Sequence, residues 1–120
     1  MKVAYVVLYV KDHEACRAFW VEKVGMVVKR SSEAAGHVIR RVGFAGQDFA
    51  FELVPLAMMK DNPDGLDLAT PSVCFHVDDL AATRARLVER GVQASPLGEH
   101  FGTPNFAFCD PEGHWFAVTP

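Results

Sequence analysis

Valines at alternate positions, Val6 and Val10 near the start of the chain and Val73 and Val77 in its second half, mark two short segments with the period of a strand that turns one face to a core. Each is followed by an aspartate, Asp12 or Asp79, at the place where a short carboxylate can accept hydrogen bonds from the first amides of a helix. Helical stretches come next, HEACRAFWVEKVG and LAATRARLVERG, and each ends at a glycine suited to a C-cap, Gly25 or Gly91. Phe19 and Trp20, four positions on from Ala15 and Cys16, set the core face of the first helix. Beyond it, MVVKRSS, HVIRRVGF and FAFELVPL read as three strands with turns at 33–36 and 46–48. Beyond the second helix come a weaker strand at 92–97 and then NFAFC and HWFAV, joined by the turn DPEG at 110–113. In that turn Pro111 presets φ and Gly113 supplies the permissive backbone.

The two halves are copies. Residues 5–23 and 72–90 align without a gap, with eight identities in nineteen positions that include Asp12 with Asp79, Arg17 with Arg84 and Glu22 with Glu89. Each half reads strand–helix–strand–strand–strand. The expected fold is therefore α+β, with two tandem βαβββ modules forming a curved mixed sheet around an inter-module cleft. Module one covers 1–56, a linker carrying Pro63, Asp64 and Gly65 covers 57–71, and module two covers 72–120, all within one domain. The cleft is the first place to look for function.

Composition narrows the partners. Half of the 120 residues are apolar, 22% are charged and the formal net charge is -3, with no basic run beyond Arg40-Arg41. Nucleic acid and membrane surfaces are not expected partners. Three widely spaced cysteines, Cys16, Cys74 and Cys109, fit a reducing, cytoplasmic setting better than a disulfide framework. Lys2 and the apolar run at 3–10 read as a strand rather than a signal peptide, because the same run recurs in mid-chain. No GxSxG elbow, GxGxxG turn or phosphate loop is present, so covalent catalysis and nucleotide cofactors are not expected.

The strand-plus-helix pattern VVLYVKDHEACRAFWVEKVGM, its second copy VCFHVDDLAATRARLVERG and the hairpin FAFCDPEGHWFAV together resemble the vicinal oxygen chelate superfamily. That family spans glyoxalases, fosfomycin-modifying enzymes, extradiol dioxygenases and bleomycin-resistance proteins, and the resemblance covers essentially the whole chain. It implies a homodimer. In metal-dependent members, four ligands come from the starts of the modules' first strands and from their last strands. Carried onto this sequence, those positions are Tyr5, Ser72, Glu52 and Ala117. Only Glu52 is a competent ligand, so no metal and no other cofactor is expected. A displaced site of Cys74, His76 and Glu52 would need ligands two apart on one strand, some 6–7 Å from each other.

Strand alternation assigns a ligand-binding surface to Tyr5, Val7, Tyr9, Glu52, Cys74, His76, Asn105, Cys109 and Trp115. Its aromatic walls and few polar groups suit a flat organic molecule. Glu52 stands in an apolar strand, where an unpaired carboxylate is costly, so it either serves the cavity or pairs with Arg40 or Arg41. His13, His37, His100 and His114 read as solvated, and Cys74 and Cys109 as small apolar fillers. Three functions remain open. The first is a metal-independent protein binding an aromatic or polycyclic small molecule in the inter-module cleft, with drug sequestration implied by the resemblance to the bleomycin-resistance branch. The second is a metal-free lyase, isomerase or hydrolase with Glu52 as general base and His76 as proton relay. The third is a metal-dependent glyoxalase- or dioxygenase-like enzyme.

Overall fold

Asp12 and Asp79 begin the two helices as the sequence requires. Each carboxylate accepts a hydrogen bond 3.0 Å long from the amide three residues on, Ala15 N and Ala82 N. The computed structural model describes residues 1–62 and 64–120 of the chain; Pro63 of the linker lies outside the described residues. Elements run in the order β1 (Val6–Val10), α1 (His13–Ala18), a π-helical turn (Phe19–Val24), β2 (Val27–Ala34), β3 (His37–Gly43), β4 (Phe51–Pro55) and a 3-10 turn (Leu56–Met59). They continue as β5 (Cys74–His76), α2 (Leu80–Glu89), β6 (Gly98–His100), β7 (Thr103–Cys109) and β8 (Trp115–Thr119). The chain divides into two compact units, Met1–Pro71 and Ser72–Pro120.

Each unit holds a four-stranded mixed sheet, ordered β1-β4-β3-β2 in the first and β5-β8-β7-β6 in the second. The first strand pairs parallel with the last, and the remaining pairs are antiparallel, in both sheets. The topology is thus duplicated strand for strand, as two βαβββ modules.

In the first unit, the helix lies on one face of its sheet and seals it with aromatic contacts. Trp20 is fully buried with its ring centroid 5.1 Å from those of Phe19 and Phe51. Phe19 and Trp20 are adjacent, and the π-helical turn, closed by Gly25 N donating to Trp20 O, rotates successive side chains less than an α-turn would. Both rings are therefore buried, and Trp20 meets Phe51 of the sheet. Gly25, at φ 99°, ends the segment in the left-handed conformation expected of it. On the same side, Arg40 of β3 reaches Glu14 at 3.2 Å and His13 Nδ1 at 3.3 Å. In the second unit, Phe75, Phe108 and Phe116 form the equivalent aromatic layer, with centroids 5.8–6.3 Å apart, and Leu87 of α2 is buried.

One strand expectation fails. The segment 92–97 contributes only an isolated bridge, Ala94 to Phe108, and the strand is β6, four residues further on. Pro96 has no amide to donate, and Ser95 holds β7 irregularly, its N donating to Ala107 O and its Oγ accepting from Ala107 N, both at 2.8 Å. The strand forms instead beside the two-residue turn Phe101-Gly102, both at positive φ. The pair Ala35-Gly36 joins β2 to β3 in the same way, so the repeat extends to its hairpins.

Histidines also depart from expectation. His13 is not solvated: its Nε2 is buried without a hydrogen-bond partner, and burial, reinforced by the Arg40 charge, holds its pKa below the ordinary 6.5. His114, the residue after the 110–113 turn that Gly113 N closes on Asp110 O, is tied through Nδ1 to the buried Asp110 at 3.3 Å. His37 is half-buried, and the exposed His100 stacks edge-on against Phe101.

Two measurements check these packing arguments. At Gly43 an added Cβ would stand 2.4 Å from the Phe49 carbonyl oxygen, so Gly43→Ala is expected to lose about 1–3 kcal/mol of stability in urea unfolding. His13 titrates lower in the folded chain than in the unfolded one, so the unfolded chain binds more protons between the two values and stability falls as pH drops below about 6.5. Urea midpoints measured from pH 7.5 down to about 5 should fall less steeply for His13→Gln than for the parent.

Candidate functional site

The face of each sheet turned away from its helix carries the residues that alternation assigned to a ligand. In the first unit, Val7 of β1 stands opposite Glu52 of β4, and Glu52 stands opposite Arg41 of β3, so the three form one row across adjacent strands. Tyr9 and Val54 form the next row. Arg41 reaches across β4: its Nε donates to Glu52 Oε1 at 3.0 Å, and its guanidinium carbon lies 3.9 Å from the centre of the Tyr5 ring. The side chains of Arg41 and Glu52 are 26% and 17% exposed, which makes this a partly desolvated ion pair held under an aromatic ring. Of the two roles open to Glu52 in the sequence, pairing with Arg41 is realised. Arg40, the other candidate, points to the helix side.

Arg41 was absent from the residues the sequence assigned to the site. Its signal was there in the pattern, since HVIRRVGF places Arg41 and Arg40 on opposite faces and only one can meet a carboxylate of β4. The linker was missed as well, and nothing local in its sequence reveals it. Leu66, Asp67, Ala69, Thr70 and Pro71 line a cavity of about 320 Å³ together with Val7 and Tyr9. That volume lies at the lower end of the range for small-molecule sites. Asp67, the acidic residue of its wall, accepts a hydrogen bond from Ala69 N at 2.9 Å and so stabilises its own turn.

In the second unit, the same row reads Cys74, Ala117 and Ala107. The charged pair of the first copy has no counterpart there. Cys109 stands opposite Trp115, which is 49% exposed, and Asn105 is half-buried opposite Gly98. His76 is solvent-facing, with Asp78 3.8 Å away. Cys74 is exposed rather than a buried filler, its Sγ 3.7 Å from Thr119 Oγ1. Cys109 is half-buried, and desolvation together with the neighbouring Asp110 pushes its thiol pKa up, so it stays protonated at neutral pH.

The family model of the Glyoxalase/Bleomycin resistance protein/Dioxygenase superfamily matches residues 2–118. The chain belongs to this superfamily. Uncharacterized protein YetH of Bacillus subtilis (strain 168) is 28% identical over 130 residues, which cover 98% of this chain and 96% of that protein. Among solved structures, TnmS3, an antibiotic binding protein from Streptomyces sp. CB03234, is similar with a TM-score of 0.80 and 24% identity over 99% of this chain and 94% of its own. A superfamily member from Sphaerobacter thermophilus DSM 20745 gives a TM-score of 0.82 at 20% identity, over 99% and 96% of the two chains. These structures share the fold.

Membership in the superfamily raises the divalent ion that some members use, and the donors at the four expected positions do not fit one. The Tyr5 ring packs on Arg41, Glu52 accepts from Arg41 Nε, Ser72 offers a neutral hydroxyl and Ala117 no side-chain donor. Among the described residues, no group of three or more His, Cys, Asp or Glu side chains is arranged to hold a metal ion, the displaced set of Cys74, His76 and Glu52 included. No helix among them is long and apolar enough to cross a membrane.

The ion pair makes a specific energetic statement. Arg41→Met leaves the Glu52 carboxylate partly buried and unpaired and is expected to cost about 1–3 kcal/mol in urea unfolding, whereas Arg41→Met combined with Glu52→Leu should recover most of that loss.

Proposed function

We propose that this protein binds an aromatic or polycyclic small molecule on the sheet face of its first module, without a divalent ion as the binding device. The observation that carries this reading is the cavity between β1 and the linker, walled by Val7, Tyr9, Leu66 and Pro71, with Glu52 one strand and Arg41 two strands across from Val7 on the same sheet face. An apolar wall with a few fixed polar groups at its edge is the composition that small-molecule sites share. Tyr9 lines this cavity, Tyr5 and Glu52 hold the Arg41 guanidinium beside it, and Cys74, His76, Asn105, Cys109 and Trp115 are candidates for a second surface in module two. That the similar TnmS3 is an antibiotic binding protein supports drug sequestration as the biological setting. The three free thiols suit a cytoplasmic protein.

The catalytic alternative draws no support from the site. A general base needs a lone pair aimed at substrate; Glu52 Oε1 receives the Arg41 Nε–H, which leaves Oε2 as the oxygen open to that role. His76, its suggested relay, stands in solvent beside Asp78.

Val7→Trp, which fills the cavity with an indole, tests the proposal against a set of flat naphthalene compounds followed by ligand-observed NMR. Binding by the parent should weaken at least about tenfold in the variant while its urea midpoint stays close to the parent's. Unchanged affinity would place the site elsewhere. Native mass spectrometry of the same preparation should show a homodimer with no stoichiometric metal.

A further inference from the structure

Arg41 has more hydrogen-bonding capacity than the fold consumes. A guanidinium offers five N–H donors, and only Nε–H is spent, on Glu52. The Tyr5 ring covers one flat side of the group. Neither terminal nitrogen has a hydrogen-bond acceptor among the described residues, and neither is sealed from solvent. Four donors thus remain available on a side chain that is already fixed by an ion pair at one atom and by a ring at one face.

This fixation matters because an arginine normally surrenders considerable rotamer freedom when it binds. Here Glu52 and Tyr5 impose that restriction in the fold itself. Glu52 also offsets the formal charge, so the pair exerts little long-range pull on a bare anion. What remains is a short-range, directional fork. Its position relative to the cavity follows from the sheet register: Val7 is both a wall of the cavity and the row neighbour of Glu52, which is in turn the row neighbour of Arg41. A ring resting on Val7 and Tyr9 would therefore carry its edge substituent toward Arg41. Asp67, the charged group on the opposite wall, is engaged by Ala69 N and does not compete for the same substituent.

We propose that Arg41 is the specificity-determining residue of this pocket, and that the ligand is a flat aromatic molecule bearing an oxygen acceptor at its edge, a carboxylate or a conjugated carbonyl. This rests on the small-molecule reading of the first module. Glu52 and Tyr5 act as positioning residues for the guanidinium.

Three probes with one ring system test it: 2-naphthoate, 2-naphthamide and 2-(aminomethyl)naphthalene, each titrated into the full chain by calorimetry at fixed ionic strength. The parent should bind the naphthoate roughly tenfold or more tighter than the ammonium compound, with the amide between them. In Arg41→Gln, which leaves the Glu52 carboxylate unpaired, the naphthoate should lose its preference and the ammonium compound should bind at least as tightly as it. In the paired variant Arg41→Gln with Glu52→Gln, which replaces the ion pair by two amides and leaves no unpaired charge, the three affinities should converge to within about twofold, and this variant serves alone if the single one does not fold. Equal affinities in the parent would overturn the ligand class, and an order that persists in both variants would overturn the role of Arg41. If none of the three binds the parent, the small-molecule reading itself fails and the proposal with it.

Discussion

One helix per module can cover only one face of a four-stranded sheet, and most of what distinguishes this chain follows from that limit. On the covered face, burial favours large apolar side chains, and Trp20, Phe51 and Phe116 are sealed there completely. On the other face, the side chains must tolerate partial exposure, and a carboxylate such as Glu52 can be accommodated only if something neutralises it. Arg41, two strands away from Tyr5 and one from Glu52, does this by lying across the sheet. The result is a rigid polar row beside an apolar cavity, produced by the needs of the fold and available to a ligand.

The duplication shows which parts of that arrangement belong to the scaffold. Asp12 and Asp79 cap their helices through the same hydrogen bond, and the two sheets have the same strand order. Arg17 and Arg84 are identical residues at equivalent positions with different partners: Arg17 lies 2.7 Å from Glu14, whereas Arg84 Nε donates to Ser95 O at 2.7 Å. Divergence goes furthest on the uncovered face, where the row Val7, Glu52, Arg41 corresponds to Cys74, Ala117, Ala107. The charged pair is present in one copy only.

Much of the fold was legible in the sequence because its determinants are local. Caps at Asp12 and Asp79, stops at Gly25 and Gly91 and the turn at 110–113 each depend on a few consecutive residues, and period-two alternation assigned most side chains to the correct face. The failures were non-local. β6 was misplaced because the pairing of Ser95 with Ala107 overrides an apolar run interrupted by Pro96. His13 read as a surface residue because nothing in its own helix announces Arg40, which arrives from β3. Glu52 was recognised as anomalous, yet the choice between Arg40 and Arg41 needed the antiparallel register of β3 on β4. The linker's place in the cavity had no local signal at all, since it depends on where 66–71 returns past β1.

The central claim is that the uncovered face of the first module is a ligand surface organised around Arg41. The most direct measurement is a two-dimensional 1H–15N NMR titration of the labelled protein with 2-naphthoate, reading backbone amides and the arginine Nε–H signals together. The account predicts saturable shifts at Val7, Tyr9, the amides of 66–70 and the Arg41 Nε–H, with the helix-covered residues Cys16 and Trp20 unmoved. Saturable shifts confined to other residues, with Val7, Tyr9 and Arg41 unperturbed, would contradict it.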